Sequence, residues 1–166
     1  MTQRIVLIWI SLSMALMAET YTARFLQFPI GAASLSSGNG SILSFSNETL
    51  LSNPAAVSWL NPYHAAVSYS RLPFDREQAF AGLVLQNQGI KFGLSYFEYR
   101  ISDIEERNLN GELIGHFKDR HQLYILTAGL KKGTFRFGMN IKYLRESLYE
   151  QSAGAILFDL GLLCAI

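Results

Sequence analysis

Three histidines, one cysteine and a short acidic run carry the side-chain types that could do chemistry in this chain. His64, His116 and His121 could ligate a metal or move a proton. None stands four residues from another, as the helical spacing of a hydrolytic zinc motif requires. Cys164 is alone, so it can neither close an intramolecular disulfide nor make a zinc site, and it reads as a small buried hydrophobe. Asp103, Glu105 and Glu106 offer oxygens suited to calcium, but without the regular ligand spacing of a calcium loop they read as a solvated face. No glycine-rich loop runs into a helix and lysine, as phosphate binding would require. The expectation is a chain with no catalytic residue, metal site or cofactor, and not an enzyme.

A second polar group is more informative because of where it sits. Lys91, Arg136, Asn140, Lys142 and Asp159 interrupt segments that are otherwise apolar. From Thr134 to Tyr143 the alternation is unbroken: Phe135, Phe137, Met139, Ile141 and Tyr143 take one side, and Arg136, Gly138, Asn140 and Lys142 the other. Strand side chains point to opposite faces with period 2, so this is a two-faced strand. Similar runs occur at 65–70, 79–86, 90–96 and 154–163. The segment Gln122 to Leu130 is strand-like but apolar on both sides, which leaves its facing open. These make six candidate strands, each near the ~9–11 residues with which a tilted strand crosses a membrane.

Gln86–Gly89 and Lys131–Gly133 have the length and glycine content of tight hairpin turns, whereas Ser102 to Arg120 reads as one long charged loop. Short turns at one end and a long polar loop at the other match the asymmetry of outer-membrane barrels. Residues 31–62 are rich in Gly, Ser, Asn and Ala and are mostly not strand; Ser46 could cap a brief helix from Asn47 to Ser52. At the start, Arg4 precedes an apolar stretch of about thirteen residues, Ile5 to Met17, shorter than the ~20 of a spanning helix and followed by Ala18. Residues 1–18 thus read as a signal peptide, with an uncleaved anchor as the rival. The predicted organisation is signal peptide 1–18, a plug-like Gly/Ser/Ala-rich segment 19–62, and strands over 63–166.

Composition supports an apolar environment. Of 166 residues, 49% are hydrophobic, 13% aromatic and 16% charged, against roughly 25% charged in ordinary soluble domains. Net charge is +1, so there is no broad basic field for nucleic acid. The predicted fold class is all-β: an antiparallel up-and-down transmembrane β-barrel, here incomplete at about six strands, with an irregular or short-helical N-terminal segment. In such a barrel Lys91, Arg136, Asn140, Lys142 and Asp159 face the lumen, because Arg or Lys facing lipid at mid-membrane costs about 2–4 kcal/mol. Phe135, Phe137, Met139, Ile141 and Tyr143 then face lipid, with Tyr69, Tyr96 and Tyr143 as aromatic-girdle candidates. A soluble secreted β-barrel binding a small apolar ligand would invert the two faces, and alternation alone does not choose between them.

Asn53-Pro54-Ala55, preceded by the small-residue stretch from Gly31 and followed by the strands, resembles the PorV/PorQ family of bacterial outer-membrane proteins, related in fold to the FadL fatty-acid transporters. The segments 111–119, 137–142 and 158–163 resemble successive family segments, although Ala56 stands where the family usually has glycine. The resemblance implies a noncatalytic barrel in the outer membrane of a bacterial cell. Its implied partners are membrane lipid and, in some bacteria, the type IX secretion machinery or exported cargo. A FadL-like channel for hydrophobic compounds is the alternative it carries. Six strands cannot close alone, and an open sheet in lipid leaves unpaired backbone groups on two edges. The chain is therefore expected to be the N-terminal portion of a longer product, or a fragment needing partner strands.

Overall fold

The computed structural model describes Phe25, Ile30 and residues 50–164. The predicted signal peptide, and most of the Gly/Ser/Ala-rich segment with the Ser46 cap, lie outside the described residues. The strands are β1 (Tyr63–Leu72), β2 (Arg76–Asn87), β3 (Ile90–Arg107), β4 (Leu113–Lys132), β5 (Phe135–Leu148) and β6 (Gln151–Cys164). They form one antiparallel meander in the order β1-β2-β3-β4-β5-β6. The sheet is not closed into a barrel: β1 and β6 are its two edges.

Turn chemistry explains the consecutive pairing. Gln88 and Gly89, at φ 47° and 83°, make the two-residue β2–β3 turn, and Gly133 at φ 62° begins the β4–β5 turn. Positive φ at such positions matches the twist of the flanking strands, and a glycine reaches it without steric cost. Both predicted tight turns therefore lie at the same end of the sheet.

The predicted long loop is not a loop. Residues 102–120 extend β3 and β4 as a paired hairpin, leaving only residues 108–112 as the connection. Its polar residues pair across and along the ladder instead of facing only water: Asp103 meets His116 at 2.7 Å, and Arg107 meets Glu105 at 2.6 Å. Ser102 and Asp103 together oppose the single residue Lys118, a bulge that keeps Ile101 and Ile104 on the same face. The tip is closed by Asn108, whose Oδ1 accepts from the Asn110 and Glu112 amides at 3.0 and 2.9 Å.

One face of the sheet is covered. Phe80, Phe97, Tyr99, Leu123, Ile125 and Leu144 are buried there with Phe25 and Ile30 against them, while Val84 joins Leu50, Val57 and Leu60. The covering layer includes a 3-10 helix, Pro54–Trp59. The facing of β4 is settled by register. Leu123, Ile125 and Thr127 point to the covered side, and Tyr124, Leu126, Ala128 and Leu130 to the other.

Candidate functional site

The covered face is built around a row of glycines. Gly129, Gly138 and Gly161 are direct neighbours across β4, β5 and β6. The Asn53-Pro54-Ala55 turn lies on them. Asn53 is extended (φ −146°, ψ 109°), and its Oδ1 accepts the Ala55 amide at 3.0 Å. Pro54 then starts the 3-10 helix, where its fixed φ fits and its missing N–H is not needed. A side chain at Gly138 would fall on the Ala55 amide and the Pro54 carbonyl, and one at Gly161 would fall on Asn53 Oδ1 and 2.9 Å from Pro54 Cδ. At Gly129 it would meet Val57 Cγ1 and, at 3.0 Å, the Phe137 carbonyl. Glycine in a strand interior marks such close backbone approach.

Gly138→Val is expected to lift the turn out of this cradle while leaving the hairpins paired, at a cost of about 1–3 kcal/mol, the range of overpacking in a filled core. Limited proteolysis checks it. New cleavage within residues 50–60, with the strands still protected, is the expected pattern.

Polar side chains of the same face hold the covering segment by its carbonyls. Thr127 Oγ1 donates to Asn140 Oδ1 at 2.7 Å, and Asn140 Nδ2 donates to the Leu50 carbonyl at 2.8 Å and to Asp159 at 3.1 Å. Lys142 donates to the Leu51 carbonyl at 2.8 Å and pairs with Asp159 at 2.5 Å. At the other end, Lys91 donates to the Ser58 carbonyl at 3.0 Å and also to that of Leu60. Arg136 reaches the Ser58 carbonyl and hydroxyl at 3.3 Å, with its guanidinium 5.1 Å from the Trp59 ring centre. A helix C-terminus leaves carbonyls without intrahelical partners and carries partial negative charge, so two cations there are well placed. Asn140 is fully buried and Lys142 is 6% exposed, a position a charge tolerates only when paired and hydrogen-bonded.

The structure thus puts all five predicted polar-face residues, Lys91, Arg136, Asn140, Lys142 and Asp159, on one side of the sheet. It brings the Asn53-Pro54-Ala55 element onto that same side. Sequence reasoning missed the glycine row as its seat. The available signal was three strand-interior glycines, in Ala-Gly-Leu, Phe-Gly-Met and Leu-Gly-Leu.

The histidines go to separate places. His121 has Asp119 at 3.0 Å on Nε2 and Glu146 at 3.2 Å on Nδ1, with the Phe25 ring stacked at 4.5 Å. His116 belongs to the protruding hairpin and His64 to β1. Among the described residues no group of three His, Cys, Asp or Glu side chains could hold a metal ion. Asp103, Glu105 and Glu106 do not converge: the first pairs with His116 and the second with Arg107.

Among the described residues nothing covers the opposite face, which is largely apolar. Phe135, Phe137, Met139, Ile141 and Tyr143 all lie on it, exposed, beside Leu126 and Leu94 of the central strands, which are 58% and 59% exposed. A shallow apolar depression of about 630 Å³ sits between Phe92, Phe137, Met139 and Leu160, where the small Ala128 leaves room. Tyr96, Tyr124 and Tyr143 form a row across β3, β4 and β5, with ring centres 5.1 and 6.3 Å apart. Tyr69 shares the face on β1 without continuing the row. Beyond the row the face turns polar, with Glu98, Gln122 and Arg145. Cys164 corrects its expectation. It is exposed, because its phase on β6 matches Leu162 and not Leu163.

Comparison with protein families, with curated proteins and with solved structures returned no match.

Proposed function

We propose that this sheet is part of the wall of a noncatalytic outer-membrane β-barrel, with the uncovered face against lipid and residues 50–60 as a plug on the lumen side. The observation that carries it is the face opposite the covering layer: an apolar band across all six strands, with the tyrosine row and the polar residues past it at one end and Asn87 and Lys132 at the short-turn end. From Phe135 to Tyr143 the apolar stretch of β5 spans about 26 Å along the strand at ~3.3 Å per residue. With a tilt of ~40° that is about 20 Å across the bilayer, near the ~25 Å apolar band of such barrels. A soluble sheet of this composition would place its apolar face inward. Here the covered face carries the buried polar set beside its apolar cluster, while the opposite face is apolar and exposed, an arrangement that fits a membrane wall. In the proposed barrel, the edges β1 and β6 pair with strands beyond these six, since an unpaired edge in hydrocarbon costs several kcal/mol per group.

The PorV/PorQ resemblance extends the proposal to a role beside the protein-export machinery of the outer membrane. A FadL-like gated channel is the weaker reading, because the plug is seated on side-chain-free backbone and held at both ends, by Asn140 with Lys142 and by Lys91 with Arg136.

Fractionation of cells making the protein tests the placement. It is expected in the outer-membrane pellet after an alkaline carbonate wash, and to migrate differently on a gel with and without heating. Recovery in the soluble periplasmic fraction would sink the proposal.

A further inference from the structure

We propose that the arginines just beyond the tyrosine row form a belt that binds the phosphate of anionic lipid headgroups; this rests on the membrane placement above. One ladder step past Tyr96, Tyr124 and Tyr143, the uncovered face carries Glu98, Gln122 and Arg145. One step further it carries Arg71, Glu77, Arg100 and Arg120. Tyrosines of an aromatic girdle sit at headgroup level, so these positions lie at the depth of the lipid phosphates.

The belt presents cations outward and keeps its acids beneath them. Glu77 pairs with Arg100 and, at 3.3 Å, with Arg71; Glu98 pairs with Arg120 at 2.7 Å and accepts from the Tyr96 hydroxyl. Gln122 in turn donates to that hydroxyl at 2.9 Å. The Glu77 and Glu98 side chains are each 14% exposed, while those of Arg71, Arg100 and Arg120 are 76%, 40% and 48% exposed. Arg145 is exposed and has no ion pair among the described residues. Arg100 stands directly opposite Arg120, a like-charge pair that Glu77 and Glu98 offset, so neither glutamate has charge to spare for Arg71 or Arg145. Two glutamates against four arginines leave the belt short of negative charge. A guanidinium has five N–H donors and grips phosphate with two at once, so the unused outward donors suit a phosphodiester. The strip is open and adjoins the apolar face. It therefore fits a phosphate whose acyl chains lie along that face, in preference to a free ion.

The test is partition of the full chain between vesicles of phosphatidylcholine and vesicles of phosphatidylcholine with phosphatidylglycerol, read by flotation at low and high salt. About fivefold for each uncompensated charge gives an expected preference for the anionic vesicles of roughly 25-fold at low salt, shrinking at high salt. The double variant R71Q/R145Q strands no carboxylate, because Glu77 keeps Arg100 and Glu98 keeps Arg120. Its preference is expected to fall to within about twofold of none. Equal partition of the unaltered chain into both vesicles overturns the belt and leaves the membrane placement standing. A preference undiminished in the double variant overturns it as well. Failure to enter either vesicle overturns the membrane placement and the belt with it.

Discussion

Met139→Arg is expected to cost about 2–4 kcal/mol when the protein is held in a bilayer, the penalty for arginine on a barrel's lipid face at mid-membrane. Met139 lies on the uncovered face of β5, midway between Phe135 and Tyr143, beside Ala128 and Leu160. It is 45% exposed, so replacing it removes no core contact and leaves no cavity. Were the face in water, the same substitution would be worth within about 0.5 kcal/mol, as for most surface changes. The solvent against the sheet decides the result.

Depth makes the test sharper. Phe135→Arg, on the same face but at the turn end of β5, is expected to cost only about 0–1 kcal/mol, because the penalty fades toward the interface where a long side chain can reach water. Urea unfolding in phosphatidylcholine vesicles, followed by tryptophan fluorescence, measures both variants. A large cost at Met139 with a small one at Phe135 is the membrane result. Equal, small costs at both positions would show that water, not lipid, covers this face.

How much of this was legible in the sequence differs from strand to strand. β5 was readable because one phase is wholly apolar and the other carries Arg136, Asn140 and Lys142, so the two environments could be separated residue by residue. β4 was not. Leu123 and Ile125 are as apolar as Tyr124 and Leu126, and only pairing of Tyr124 with Tyr143 shows which pair belongs to the uncovered face. The hairpin at 102–120 was hidden by its charges, which resemble a loop until Asp103 is seen opposite His116. Turn positions were visible where glycine supplies positive φ, at Gly89 and Gly133. The strand phase that sets the five polar residues apart is visible in the sequence, but what they hold is not. Their targets are backbone carbonyls of Leu50, Leu51, Ser58 and Leu60, and a carbonyl has no signature in sequence.

Asp159→Ala is expected to destabilise the chain by about 3 kcal/mol, the low end for breaking a buried ion pair, since Asp159 is itself about a third exposed. The loss comes from the partner left behind. Lys142 is almost fully buried and would keep only the Leu51 carbonyl, a neutral acceptor that does not compensate its charge. Asn140 loses less, because its amide still donates to the Leu50 carbonyl. Removing the charge together with its partner should restore most of the stability: D159A/K142M is expected within about 1 kcal/mol of the unaltered chain, because an apolar side chain of similar length fills the site without a desolvation cost. The double variant also separates stability from seating. It gives up the Lys142 bond to Leu51, so the 50–60 segment should become more open to protease even where the urea midpoint recovers. A double variant as unstable as the single one would mean that the 2.5 Å contact between Lys142 and Asp159 contributes through packing and not through charge. The polar face would then be a scaffold for the glycine cradle, with Gly129, Gly138 and Gly161 alone setting where the Asn53-Pro54-Ala55 turn docks.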